Sequence, residues 1–246
     1  MAAMKYCSFH KFLQIGLKQK GYAAIPTKTE ESMTLAEETA ALAVKAGANA
    51  TPERKAIYGK GQQHVEAAGI LETALKVGDR APMFELPGAD GVMVKLADVL
   101  KSGPAVVSFY RGAWCPFCNL ELRALQRELA SAQAAGVTLV AISPNTPDTS
   151  AELVDENELT FPVLSDAENA VAKSFNLVFE MEEGLVEFYK AEGRNIDEMN
   201  GSEVWELPVP ATYVIDTAGV IQYAYVDLNH RARAEPSEVI AVAAAL

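Results

Sequence analysis

Three consecutive stretches constrain the fold more than any others: GPAVVSFY at 103–110, CNLELRALQRELASAQAAG at 118–136 and VTLVAIS at 137–143. An apolar run of strand length, an amphipathic pattern of helical period ending at Gly136 and a second apolar run read as strand, helix, strand. At this spacing they form a βαβ unit, whose strands are parallel and whose crossover is right-handed. A helix near 148–158, a short strand over FPVLS at 161–165 and a short helix at 167–175 follow. ATYVIDTAGVIQYAYV at 211–226 reads as two strands joined by the turn DTAG, and a last helix runs from about Pro236 to Ala245. The expected class is α/β: a mixed central sheet, parallel in the middle with an antiparallel hairpin at one side, flanked by helices on both faces.

Where the first strand passes into the first helix the chain reads FYRGAWCPFCNLEL, at 109–122. Gly112 provides the turn, and Pro116 suits the first helical position, where its missing N–H costs nothing. Cys115 and Cys118 then sit in the first helical turn, where unpaired backbone N–H groups and the positive end of the helix dipole favour a thiolate, the reactive form of the thiol. Arg111 adds a positive charge nearby. Cys115 is expected to be the exposed thiol, and Cys118, one turn on and facing inward, the resolving one. Two buried structural cysteines are the bland alternative, and Gly112, Trp114 and Pro116 around the pair weaken it. Cys7, the third cysteine, stands more than a hundred residues away and is expected to be dispensable. His10, His64 and His230 stand at no ligand spacing from another His or Cys, so no metal site and no cofactor are expected, and the three read as ordinary surface or core residues.

The rest of the chain divides by composition. Residues 1–30 are expected to be a mobile arm; up to residue 29 they carry five Lys and no acid, without the apolar core of a secretory leader or the Arg of a mitochondrial one. Residues 31–76 read as a helical extension of two helices, with Thr51, Pro52 and Glu53 starting the second, packed on the core or on a partner subunit. The main domain is expected over 77–246. Within it, 179–206 holds nine acidic residues against Lys190 and Arg194, which reads as a solvated face; the other reading is a partly helical insert that shapes access to the site. With 33 acidic and 21 basic residues the net charge is −12, which repels nucleic acid and anionic membrane surfaces. No stretch approaches the roughly 18–20 apolar residues of a membrane span, so a soluble, cytoplasmic protein is expected.

Pro210 in LPVPATYVID stands directly before a strand, a place open to proline at the strand's start. A cis Val209–Pro210 bond there would offer the Val209 backbone to an extended substrate chain beside the dithiol.

The opening VGDRAPMFELPGADGVMVKLADVL, the FYRGAWCPFC loop and the hairpin VPATYVIDTAGVI together resemble the alkyl hydroperoxide reductase/thiol-specific antioxidant superfamily, in its peroxiredoxin-like branch with a C-x-x-C. The resemblance covers about Val77 to Leu246. It implies a thioredoxin-like fold with peroxiredoxin additions and an antioxidant enzyme that reduces hydroperoxides through a Cys115–Cys118 dithiol and disulfide. It also implies recycling by thioredoxin, glutathione or a similar thiol, and it admits a homodimer. The peroxiredoxin pattern places the peroxidatic cysteine at Cys118 and a glutamate at Glu121, with Arg111, Cys115 and Pro210 where that pattern has proline, threonine and arginine. The thioredoxin pattern instead matches Trp114, Cys115, Cys118 and Pro210, with Ser108 where thioredoxin has an aspartate, and implies a protein-disulfide reductase. A thiol redox sensor without turnover is the third reading.

Overall fold

The computed structural model describes residues 33–48 and 50–246. The expectations placed on residues 1–30, on Cys7 and on His10 lie outside them. Three helices come first: α1 (Leu35–Ala48), α2 (Pro52–Ala67) and the single turn α3 (Ile70–Thr73). The Thr51 hydroxyl accepts the Arg54 N–H at 3.2 Å and Pro52 opens α2, a start that satisfies a backbone donor the helix cannot. The hairpin β1 (Glu85–Pro87) and β2 (Met93–Lys95) leads into α4 (Leu96–Ser102). The βαβ unit follows as β3 (Ala105–Phe109), α5 (Pro116–Arg127), α6 (Leu129–Ala134) and β4 (Thr138–Ser143). The single helix expected over 118–136 is therefore two, parted at Glu128, whose ψ is 0°.

Next come α7 (Pro147–Glu156), β5 (Val163–Ser165), a 3₁₀ turn (Ala167–Asn169) and α8 (Ala170–Ser174). The acidic stretch begins within β6 (Val178–Glu180), contains α9 (Glu183–Ala191) and α10 (Ile196–Asn200), and ends at the start of β7 (Glu206–Pro208). β8 (Ala211–Ile215), β9 (Ile221–Val226) and α11 (Pro236–Ala244) complete the chain.

The central sheet has the order β5-β4-β3-β8-β9. β3 pairs with β4 and β4 with β5 in parallel, while β3–β8 and β8–β9 are antiparallel, so the mixed sheet read from the sequence is present. β3 is buried at every residue because both faces are covered. Val107 and Phe109 join Val140, Ile142, Tyr213, Ile215, Leu96 and Phe175 on one side. Val106 and Tyr110 join Leu139, Val214, Leu122, Leu125, Leu153 and Ile240 on the other, under α5, α7 and α11. A third cluster corrects the solvated reading of the acidic stretch: Met181, Leu185, Val186, Tyr189 and Ile196 are buried together, with Ile57 and Tyr58 of α2 packed against them. The acids occupy the outer faces of α9 and α10, and the apolar residues between them recur at helical spacing and turn inward.

Candidate active site

The loop after β3 is shaped by Gly112, whose φ of +140° is a region L side chains rarely adopt; a Cβ there would lie 2.7 Å from the Trp114 indole nitrogen. Cys115 takes the N-cap position of α5 with Pro116 behind it, and Cys118 follows at the third helical position, as the spacing predicts. The Asn145 carboxamide accepts the Ala113 N–H at 2.8 Å and donates to Asn200 Oδ1 at 2.8 Å, tying this loop to α10. The expectation of an exposed nucleophile needs correction: Cys115 is 1% exposed and Cys118 fully buried, because α2, α9 and the segment 228–231 wall in the mouth of the helix.

A cleft of about 760 Å³ runs between those walls; Cys115, Arg111, Trp114, Pro210 and His230 line it, and Cys118 does not. Both thiols are free. The hydrogen bond with Cys118 holds the Cys115 thiol far down, to about 5; burial opposes it, and the charges of Arg111 and Arg233 assist. Cys118 is pushed up, first by burial and then by its neighbour Cys115. The pair therefore splits into a thiolate facing the cleft and a protonated thiol behind it. Arg111 is turned inward and buried, its guanidinium stacked 4.7 Å from the Trp114 ring. Its Nε has no hydrogen-bond partner among the described residues. Trp114 meets Tyr189 of α9 edge-on at 5.6 Å.

Glu121 lies one turn beyond Cys118 on the inner face of α5, buried like it. Its carboxylate accepts the Ser108 hydroxyl at 3.0 Å and the Thr212 hydroxyl at 3.5 Å, from residues directly paired across β3 and β8, and forms an ion pair with Arg233 Nε. Burial raises the Glu121 carboxyl, against the pull of Arg233; burial likewise works against the Arg233 charge, and Glu121 beside it outweighs that effect and keeps the guanidinium protonated. Arg233 Nη2 also donates to Cys118 Sγ at 3.2 Å.

Pro210 lines the cleft, but the expected cis bond is absent: Val209–Pro210 is trans, as is every peptide bond among the described residues. The edge it was to open is occupied, since the Val209 N–H donates to the Leu177 carbonyl at 2.8 Å and β7 pairs with β6 of the insert. The sequence reading missed Arg233, Tyr189, Asn145 and the α2 wall, and placed His230 among ordinary residues; burial first and the nearby arginines next hold that imidazole neutral. The signal for Arg233 was the basic HRAR at 230–233 in so acidic a chain. The others have no local signal: the insert and the extension bring Tyr189 and the α2 wall to the dithiol, and Asn145 reaches its loop from the turn after β4.

A sequence profile of the AhpC/TSA family matches residues 77–224. A Mycobacterium tuberculosis relative is 40% identical over 99 residues, covering 40% of this chain and 62% of its own. Peroxiredoxin Bcp of Escherichia coli K12 is 33% identical over 103 residues, covering 42% of this chain and 65% of its own. The chain thus spans just under two thirds of the length of these curated relatives. Among solved structures, peroxidoxin BcpB from Mycobacterium tuberculosis superposes with a TM-score of 0.55 at 22% identity, covering 70% of this chain and 98% of the other. A cysteine mutant of PrxQ from Xylella fastidiosa gives 0.53 at 16% identity, covering 68% and 94%. The fold is accordingly thioredoxin-like with peroxiredoxin additions, as the resemblance implied.

Proposed function

We propose that this chain, which belongs to the AhpC/TSA family, is a thiol-dependent peroxidase that reduces hydroperoxides through a Cys115–Cys118 dithiol and disulfide cycle. The observation that carries the reading is the cleft lined by Cys115 at the head of α5, with Cys118 buried one helical turn behind it; the Cys115 thiol is held down to about 5 and Cys118 is pushed up. The Cys115 thiolate attacks the terminal oxygen of R–O–O–H; the O–O bond breaks, Cys115 becomes a sulfenic acid, and the alkoxide leaves and takes up a proton as ROH. Arg111 offers its unpartnered Nε N–H to the oxygen on which charge develops, the form of stabilisation that contributes most when the donor is already in place. The Cys118 sulfur then attacks Cys115, the S–O bond breaks, and hydroxide leaves with the thiol proton as water. Two equivalents of a thiol reductant reopen the disulfide.

No observation favours the protein-disulfide reductase. Its substrate edge at Val209 is already paired with Leu177. The decisive measurement is hydrogen peroxide consumption with dithiothreitol, run beside insulin-disulfide reduction in the same buffer. Peroxide should be consumed and insulin left largely intact. Cys115→Ser should be inactive, and Cys118→Ser should stop with one added oxygen on Cys115 after a substoichiometric peroxide pulse, read by mass spectrometry. Peroxidase activity retained by Cys115→Ser would transfer the nucleophile to Cys118.

A further inference from the structure

The cleft is far larger than hydrogen peroxide requires; about 760 Å³ falls within the roughly 300–1,000 Å³ typical of sites for organic ligands. Its walls come from α2 and α9, outside the five-stranded sheet, and its aromatic surfaces include Tyr58, Trp114, Phe117 and Tyr189. The charge of the lining is opposite to that of the chain. Five cations, Arg54, Lys55, Arg111, Arg194 and Arg231, face the cleft against the single acid Glu182, in a protein of net charge −12.

Arg54 and Arg194 share Glu192, at 3.0 and 3.2 Å, which leaves that trio positive. Arg111 and Arg231 stack on Trp114 and Phe117, at 4.7 and 5.7 Å, and each leaves a buried Nε without a hydrogen-bond partner among the described residues. Buried N–H groups without a partner are uncommon in folded proteins. A planar guanidinium held over an aromatic ring is arranged to receive a carboxylate.

The same walls decide what kind of reductant reaches the disulfide. A protein reductant must bring its own sulfur in line with the S–S bond, and here Cys115, in the lining of the cleft, is 1% exposed and Cys118 fully buried. A thiol small enough to enter the cleft brings no protein surface that must dock past α2 and α9. We propose that this cleft binds the reducing substrate, and that this substrate is a low-molecular-weight thiol bearing carboxylates, of the glutathione class, held by Arg54, Arg194 and Arg231. The inference rests on the peroxidase reading for its place in the cycle. The thiolate of the small molecule attacks Cys115 Sγ and forms a mixed disulfide, while Cys118 leaves as a thiolate stabilised by the Arg233 N–H 3.2 Å away. A second molecule attacks the sulfur of the first and releases the Cys115 thiolate, so that ROOH and two thiols give ROH, water and one small disulfide.

The test has a binding arm and a kinetic arm. S-methylglutathione, which has the carboxylates but no reactive thiol, should bind the full chain saturably in calorimetry, more weakly as salt is raised. The Arg54→Gln/Arg231→Gln protein, checked by its melting curve, should bind it at least tenfold more weakly. Its kcat/KM with glutathione, relative to that with dithiothreitol, should fall at least tenfold. Absence of S-methylglutathione binding in a protein that consumes peroxide with dithiothreitol would overturn the inference and spare the peroxidase reading. Binding in a protein that consumes no peroxide would overturn that reading and leave the ligand site standing. Efficient turnover with a thioredoxin-type protein but not with glutathione would also overturn the inference. So would a loss in the variant confined to carboxylate-bearing hydroperoxides.

Discussion

At Cys115 the Cys118 hydrogen bond and the charges of Arg111 and Arg233 act against burial, and the result is a thiolate at neutral pH. A depressed thiol pKa means reactivity that is complete above that value and is lost as the pH falls through it. The second-order rate constant with hydrogen peroxide, followed by stopped-flow tryptophan fluorescence, should therefore be level near neutrality and fall through about 5. Arg111→Gln removes a lowering charge, so the inflection should move upward. It also removes a donor to the developing oxyanion, so a loss of about 100-fold should remain on the plateau at higher pH. Full recovery on that plateau would reduce Arg111 to a residue that only tunes the thiol.

The elements around the dithiol respond differently to change. Gly112→Ala places a Cβ against the Trp114 indole, at a φ of +140°, so the strand-to-helix turn must shift. It should cost about 1–3 kcal/mol and displace Trp114 from its place between Arg111 and Tyr189, seen as a change in near-ultraviolet circular dichroism together with a slower peroxide step. Pro210→Ala should do little. The trans bond suits any residue, and the neighbouring Val209 N–H keeps its bond to Leu177. A stability change under about 1 kcal/mol is expected, with no selective effect on insulin reduction. A large selective loss in the insulin assay would reopen the disulfide-reductase reading.

For the molecule as a whole, the buried pair Glu121–Arg233 links α5 to the segment between β9 and α11, with side chains only 3% and 2% exposed. Breaking such a pair leaves an uncompensated charge, whereas replacing both partners by apolar groups is often tolerated. Arg233→Met should therefore destabilise by about 3–5 kcal/mol in urea melts. The double variant Glu121→Leu/Arg233→Met should regain most of that stability while remaining slow in turnover, since Cys118 loses the donor at 3.2 Å. Equal stability of the single and double variants would mean that the pair is not coupled.

Local pattern was enough for the βαβ unit, the terminal hairpin, the start of α2 and the cysteines at the head of α5, because each depends on periodicity or on backbone preferences within one element. Glu121 was legible only through the resemblance, which places a glutamate three residues after Cys118; the structure puts it on the buried face of α5. The orientation of Arg111, the reach of Arg233 and the neutral state of His230 depend on which charges and walls meet them, and those arrive from distant parts of the chain. The sequence likewise contained the apolar positions of α9 without saying what covers them. Only in the folded molecule do α2 and α9 close over the dithiol, bury the sulfur expected to be exposed and gather arginines from positions 54, 111, 194 and 231 around one cleft. A stretch of chain fixes its own φ, ψ and periodicity; burial and electrostatic environment belong to the contacts between stretches, and these exist only after packing.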